Sequence, residues 1–468
     1  MRVSNSVLLT LMPHGLILFR LRAMSNPSPR RIERVLTPFE QFLRVEASGG
    51  ILLLAATISA LVWVNSTWSD SYDQFWQTKI TIGPAGFDLS KAAILWVNDG
   101  LMAVFFFVVG LEIKRELLFG QLSSVRAATL PIFAAVGGMV VPALIYAAFN
   151  VGSSGVDGWG IPMATDIAFA LGILALIGSR APVSLKIFLT ALAIVDDLGA
   201  VMVIALFFTD QLGFTSLIFA GLFVVLLFGA NIAGIRNPLL FFLLAFGLWV
   251  AFLKSGVHPT LAGVIAAMAI PSTKVLDDRQ FLARLQDLTI RFGKTMDDAK
   301  EGVQAQRQQV MHELEIAALH ASAPLHRLEH SLHAWVAFVI MPVFALANAG
   351  LQIDADTIGS LDNRISLGII AGLAIGKPVG VVLFTWVAIR TGLSSLPAGL
   401  TWRAITAGGF LAGVGFTMSL FISKLALEDQ ADVDVAKTGI LIASVVSALI
   451  GSAILIFRSN QKPVTASE

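Results

Sequence analysis

The sequence predicts an all-α polytopic membrane protein: twelve transmembrane helices with an inverted repeat, helices four and eleven interrupted, and a small external β-hairpin. Three observations lead there. The 468 residues are 56% hydrophobic and only 13% charged, with a mean hydropathy of +0.80, whereas soluble domains run at about 45–50% apolar and about 25% charged. The apolar residues gather into twelve segments, at roughly 49–64, 93–112, 128–149, 159–178, 184–208, 212–231, 238–254, 257–271, 334–350, 365–389, 403–424 and 436–457, and a stretch of about 20 apolar residues crosses a bilayer as a helix. Lys and Arg, finally, are sorted by side. With the N-terminus inside, only Lys79, Lys91, Lys254, Arg364, Lys424 and Lys437 face out, Lys377 lies within a span, and the other 25 of the 32 fall inside. Eight of those belong to the long stretch 272–333, where charge counts for less, and the remaining 17 still outnumber the six. Both termini are expected in the cytoplasm. A net charge of +1 identifies no partner and nothing points to nucleic acid; without Cys, disulfides and thiolate metal sites are excluded.

Taken in order, residues 1–46 form a cytoplasmic extension rich in Arg, from Arg2 to Arg44. Its apolar piece Val7–Phe19 is too short to span and contains Pro13 and His14; it reads as an interfacial segment or a signal-like relic, and a start at Met24 instead of Met1 stays open. Helices one to eight occupy 47–271. Between the first two, Thr78–Ser90 alternates around Gly83-Pro84-Ala85-Gly86, the signature of an external β-hairpin. A charged cytoplasmic insertion, 272–325, follows helix eight. Within it Leu282, Leu285, Thr289, Phe292, Met296, Ala299, Val303, Gln306 and Val310 recur at steps of three and four, an imperfect helical stripe expected to pack on the cytoplasmic face or on itself. Helices nine to twelve occupy 326–458, and 459–468 is a cytoplasmic tail.

A repeat is visible within the spans. Ala135-Val136-Gly137-Gly138 in the third resembles Ala374-Ile375-Gly376-Lys377 in the tenth, and these spans start on opposite sides. Spans 3–5 and 10–12 would then be inverted copies, an arrangement that holds substrate at broken helices near the midplane. The fourth span, with Pro162 ahead of Ala164-Thr165-Asp166, and the eleventh, with Gly408, Gly409, Gly413 and Gly415, are the candidates for breaking.

Five ionisable groups lie well inside spans: Asp99, Asp166, Asp196, Asp197 and Lys377. Such groups mark ion pathways unless they form a structural pair. Asp196 and Asp197 point about 100° apart on a helix, so they flank one cavity without both facing one ion. Adjacent carboxylates titrate as a coupled unit. They can hold protons and yield them to a hard cation such as Na⁺ or Li⁺, with Thr165 adding a hydroxyl. A site that takes cation or protons alternately is an exchanger. Lys377 suits either one of these aspartates or the carbonyl ends of a broken helix, and Asp166 suits exposed helix N-termini.

A second cluster belongs to the cytoplasmic face. Glu112, Arg115 and Glu116 end the second span, while His326, Glu329, His330 and His333 open the ninth on one helical stripe. Histidine changes charge near neutral pH, so a pH-sensing entrance is one reading and a solvated charged rim the other. His326-Arg327-Leu328-Glu329-His330 also matches the short H-x-x-E-H zinc-protease pattern. That alternative leaves the buried aspartates unexplained, and a cation channel would not couple two gradients. No cofactor is implied.

Several motifs together resemble the bacterial NhaA-type Na⁺/H⁺ antiporters. They are Trp96-Val97-Asn98-Asp99, Val109-Gly110-Leu111-Glu112-Ile113-Lys114-Arg115-Glu116, Ala164-Thr165-Asp166-Ile167-Ala168-Phe169, Ala193-Ile194-Val195-Asp196-Asp197-Leu198-Gly199, Lys254-Ser255-Gly256-Val257-His258, Ile375-Gly376-Lys377-Pro378 and Gly413-Val414-Gly415-Phe416-Thr417-Met418-Ser419. The resemblance covers about 47–271 and 322–458. It implies a twelve-helix fold in the bacterial inner membrane, with helices four and eleven interrupted and crossing near the midplane. It implies electrogenic exchange of Na⁺ or Li⁺ for external H⁺, activated at alkaline pH. Asp197 matches the principal cation ligand, Asp196 its partner carboxylate paired with Lys377, and Thr165 and Asp166 the broken fourth helix. Glu112, Arg115, Glu116, His258, Glu329, His330 and His333 match positions tied to pH response, and the hairpin at 78–90 a homodimer contact. His326 stands where the family pattern has lysine and Ala334 where it has proline, directly after the insertion; both bear on the pH threshold.

Overall fold

The computed structural model describes residues 38–83, 89–208, 213–297, 303–354 and 359–457. Two units are distinguished: Met1–Gln41, of which only the helical residues 38–41 are described, and Phe42–Glu468, which holds all that follows. The segment Val7–Phe19, the alternative start, the hairpin tip 84–88 and the tail 459–468 lie outside the described residues.

Helix α1 (Pro38–Val64) begins well ahead of the expected residue 49 and turns by 114° into α2 (Ser69–Gln77). Strands β1 (Lys79–Ile82) and β2 (Leu89–Ala92) pair antiparallel, Lys79 opposite Ala92 and Ile82 opposite Leu89, so the second strand extends past the expected limit at Ser90. Then come α3 (Ala93–Phe119), α4 (Val125–Asn150), a 3₁₀ helix (Ser154–Met163) leading into α5 (Ile167–Ile177), α6 (Val183–Phe207), α7 (Phe214–Ile232), α8 (Pro238–Leu253) and α9 (Leu261–Ala269). The rest is α10 (Asp278–Asp297), α11 (Val303–Ala321), α12 (Pro324–Asn348), α13 (Arg364–Arg390), α14 (Trp402–Ala412), α15 (Phe416–Ala426) and α16 (Gln430–Ile456).

Every expected apolar segment holds helix, but not every helix is of membrane length. Seven are long and apolar enough to cross, or ten when each of three bent pairs counts as one. The other two, α8 with 16 residues and α9 with 9, fall short: at 1.5 Å per residue they reach about 24 Å and about 14 Å of the roughly 30 Å hydrocarbon thickness. The outer faces suit lipid. On α7, Ile218, Leu222 and Val225 are all exposed, a row that in water would be an aggregation hazard and in hydrocarbon costs nothing. The chain is a multi-pass helical membrane protein.

Close packing in lipid depends on small residues that let backbones approach. The α4–α13 crossing shows this directly. A Cβ on Gly137 would sit 2.3 Å from the Gly380 carbonyl oxygen, and one on Gly380 would sit 2.1 Å from that of Gly137. Only paired glycines fit. Just before this contact α13 widens into a π turn, Gly372–Gly376, which delivers Lys377 into the interior.

The insertion is two helices rather than one continuous stripe. Helices α10 and α11 fold back on each other around Leu288, Val310 and Ala317, and Leu282, expected on the apolar stripe, is exposed. Glu313 on α11 receives Arg291 at 2.7 Å and Arg284 at 3.0 Å from α10. The base of this pair is closed by the backbone N–H groups of Val275 and Leu276, which donate to the His320 carbonyl.

Gly137→Ala should cost about 1–3 kcal/mol, the usual range for forcing atoms into a filled contact. Gly221→Ala, where nothing lies within 4 Å, should leave stability unchanged or slightly raised. Thermal unfolding of the purified proteins in one detergent compares them; a Gly137→Ala protein as stable as the parent would show that the crossing has slack.

Candidate functional site

Two helices stop inside the bundle. The pair 3₁₀–α5 bends by 40° at residues 164–166, and α14–α15 by 46° at 413–415. Backbone groups released by a break cannot go unpaired away from water. Here the breaks satisfy each other. The Asp166 N–H donates to the Val414 carbonyl at 2.7 Å, and the Ser419 hydroxyl donates to the Ile161 carbonyl at 2.8 Å.

Charged side chains complete the arrangement according to the polarity of each helix end. Asp166 serves two N-termini. Its Oδ1 accepts from Phe169 N at 3.0 Å, capping α5, and its Oδ2 accepts from Thr417 N at 3.2 Å, in the first turn of α15; the Thr417 hydroxyl donates to the same oxygen. Lys377 serves a C-terminus: its ammonium donates to the carbonyl of Met163, the last residue of the 3₁₀ helix.

The same ammonium reaches Asp196 Oδ2 at 2.5 Å, both side chains being fully buried. The Thr165 hydroxyl lies 2.6 Å from that oxygen and 2.9 Å from the Ala412 carbonyl, so it links α6 to the second break. Asp196 Oδ1 is buried and has no hydrogen-bond partner among the described residues. Asp197, one position on and 3% exposed, makes neither a hydrogen bond nor an ion pair among the described residues. The charges acting on it are the carboxylates of Asp196, Glu112 and Asp166 and the Lys377 ammonium. Lys377 is committed to Asp196, so the surroundings of Asp197 are negative. Hard cations prefer oxygen ligands, and these aspartates offer uncommitted oxygens where a positive charge is wanted.

At the α3–α12 contact Arg115 joins Glu116 at 3.0 Å and Glu329 at 3.1 Å, and His333 stands 3.5 Å from Glu112. His326 lies 4.0 Å from Glu329, its ring against Phe119. His330 is exposed and makes no polar contact among the described residues. His258 is elsewhere, with its Nδ1 2.6 Å from the Thr260 hydroxyl and its ring edge-on to Phe421. Asp99 joins none of these; Lys91 of β2 binds it at 2.7 Å. No group of three or more His, Asp or Glu able to hold a metal occurs among the described residues, and His326, Glu329 and His330 do not converge on one point. The structure therefore brings together Thr165, Asp196 and Lys377, with Asp197 beside them, and separately Arg115, Glu116 and Glu329 with the Glu112–His333 pair. Thr417 and Lys91 were not among the residues expected at a site. Thr417 lies in the run Gly413-Val414-Gly415-Phe416-Thr417-Met418-Ser419, but nothing local indicates that its partner is 251 positions away.

The family model for Na⁺/H⁺ antiporter 1 matches residues 40–455, running across the insertion. Among curated proteins, a Na⁺/H⁺ antiporter NhaA from Oleidesulfovibrio alaskensis is 51% identical over 91% of this chain and 94% of its own length. One from Koribacter versatilis is 46% identical over 92% and 93%, and the NhaA 2 protein of Syntrophotalea carbinolica 46% over 93% and 99%.

Removing one member of a buried ion pair strands the other, typically at about 3–5 kcal/mol. Lys377→Ala should therefore lower the unfolding temperature more than Lys377→Arg or Lys377→His, which retain a donor for Asp196 and the Met163 carbonyl. Identical unfolding temperatures for the three variants would show that the pair contributes nothing to stability.

Proposed function

The chain belongs to the Na⁺/H⁺ antiporter 1 family, a secondary transporter rather than an enzyme, and from that premise we propose that it expels Na⁺ or Li⁺ in exchange for external protons, with Asp197 and Asp196 as the alternating site. One observation carries the reading: a buried carboxylate, Asp197, with no hydrogen-bond or ion-pair partner among the described residues, next to one that has an ammonium. Asp197 is the principal cation ligand, Asp196 contributes its uncommitted oxygen, and Thr165 its hydroxyl. When protons occupy the carboxylates the cation has no charge to bind, and when the cation binds the protons must leave. Exchange is then obligatory. If both the Asp197 proton and one shared between Asp196 and Lys377 travel, more than one proton enters per cation and the cycle carries net charge.

The wider reading follows. All twelve apolar segments lie in the bacterial inner membrane, α8 and α9 as short spans whose helices cover only part of its thickness, with both termini in the cytoplasm. The units α4–broken α5–α6 and α13–broken α14/α15–α16 are inverted repeats, which the matching position of each break and the Gly137–Gly380 crossing of their first members support. The ion network between α3 and α12 carries the pH response, its Glu112–His333 contact being an ion pair only when the imidazole is protonated. The hairpin, whose first strand is exposed along its length, joins two copies of the chain through its open edge.

Asp197→Asn should abolish cation-driven proton movement in proteoliposomes while the protein still inserts and unfolds cooperatively. Parental turnover in the folded variant would remove Asp197 from the site, and cation flux without proton coupling in the parent would identify a channel instead. Asp196→Asn should retain cation binding but alter the charge moved per Na⁺; an unaltered ratio would count against Asp196 as a proton carrier.

The insertion and His326 lie at the start of α12, away from the aspartates in depth. Deleting 275–321 removes a hairpin whose ends meet, since Leu325 N donates to the Pro271 carbonyl at 3.2 Å just outside it. Both this deletion and His326→Lys should shift the pH profile of exchange and leave the maximal rate unchanged. Superimposable profiles for the three proteins would reduce the insertion to a solvated appendage.

A further inference from the structure

A cavity of about 600 Å³ opens at the end of the bundle that carries the β-hairpin, between α2, the C-terminal ends of α12 and α15, and the start of α16. Two groups in its wall take no part in the exchange site. Lys424, in the last turn of α15, is partly buried, and its ammonium makes no hydrogen bond or ion pair among the described residues. Trp76, on α2, is 5% exposed, and its indole N–H is buried with no hydrogen-bond partner among the described residues. Lys437 also lines the cavity but is held by Asp434 at 2.7 Å. Among the described residues, the uncommitted donors of the wall that are shielded from solvent are thus an ammonium and an indole N–H, which together suit an anion carrying more than one acceptor oxygen. Asp73, by contrast, is exposed and reaches the cavity from α2 at its mouth. Asp354 and Asp434 line it as well, Asp434 held by Lys437, so Lys424 is the cationic group left in the wall and the exposed carboxylates at the mouth are Asp73 and Asp354.

Its depth in the membrane narrows the occupant. Helix α2 turns by 114° from α1 and leaves Trp68 and Phe75 exposed while burying Tyr72 and Trp76. Aromatic residues on a short helix lying across the bundle end place it at the headgroup layer. The anion concentrated there is the lipid phosphodiester. Val64, Ile94 and Val435 supply an apolar side for the glycerol end of a lipid. We propose that this cavity is a binding site for the headgroup of a zwitterionic phospholipid bearing a primary ammonium. Its phosphate accepts from Lys424 and Trp76, and its ammonium donates to Asp73. The site is independent of the exchange reaction, since it uses none of Thr165, Asp166, Asp196, Asp197 or Lys377.

The test uses the purified full-length protein, delipidated in detergent. Native mass spectrometry and thermal unfolding follow titration with phosphatidylethanolamine, phosphatidylcholine, phosphatidylglycerol and inorganic phosphate. Phosphatidylethanolamine should bind and raise the unfolding temperature. Phosphatidylcholine, whose quaternary nitrogen has no N–H, and phosphatidylglycerol, which has no ammonium, should bind about tenfold more weakly, the loss expected for one charge-assisted hydrogen bond. Lys424→Met should abolish the preference, Lys424→Arg should restore most of it, and Trp76→Phe should weaken binding without loss of fold. Equal lipid response in the parent, Lys424→Met and Trp76→Phe proteins would overturn the site. Phosphatidylglycerol matching phosphatidylethanolamine would overturn the zwitterionic occupant, and inorganic phosphate reproducing the full shift would overturn the lipid. If Lys424→Met fails to fold, Lys424→Gln and Trp76→Phe decide the same question.

Discussion

Helix ends that stop inside an apolar bundle must be answered locally, because no water is available to satisfy them. The rest of the site depends on that constraint. The two breaks, at 164–166 and 413–415, are placed against each other so that each supplies what the other lacks. Where backbone pairing is insufficient, the polarity of the helix end selects the side chain. Asp166 stands at two N-termini and Lys377 at a C-terminus. The aspartate and lysine are therefore structural before they are functional. A charge that would be costly in hydrocarbon is stabilised by dipoles already there.

Lys377 is shared, and that sharing divides the two neighbouring carboxylates into different kinds. Asp196 is engaged by an ammonium and a hydroxyl through one oxygen, while Asp197 has neither. Had both been paired, the pocket would be neutral and inert toward a cation. With neither paired, adjacent buried charges would repel each other without relief. The proposed exchange rests on one paired and one unpaired carboxylate: Lys377 stabilises Asp196, and Asp197 is left for a cation or a proton. Glu112 adds to the negative surroundings of Asp197 while itself facing His333.

Much of this was legible along the chain. Twelve apolar segments hold helix, and mid-span charge singled out Asp166, Asp196, Asp197 and Lys377, because an ionised group in an apolar run is a local anomaly that composition exposes. What escaped was a set of particular partners. Thr417 is an ordinary hydroxyl in a glycine-rich run until Asp166 arrives from the other broken helix. Asp99 looked like a fifth intramembrane site, and its partner Lys91 stands eight residues ahead of it, on the strand that runs directly into α3. His330 shares a stripe with its neighbours by spacing, yet it is exposed, since on a helix of 3.6 residues per turn it lies about 100° around from Glu329, which faces Arg115. In the insertion, spacing suggested one stripe packed on the cytoplasmic face or on itself; a reversal makes two helices, in which Phe292 and Val310 of that stripe pack together with Leu288 and Ala317 while Leu282 is exposed.

The contact between Gly137 and Gly380 bears on how such a molecule can move. Backbone rests on backbone there with no side chain between, so neither helix can rotate or slide without collision. Helices α4 and α13 thus behave as one stiff strut crossing the bundle, and Lys377, three residues before Gly380, is bolted to that strut. In the proposed exchange, then, the aspartates would be reached from either side by the strut tilting as a unit against its surroundings, or by the broken helices sliding beneath a lysine that stays where it is.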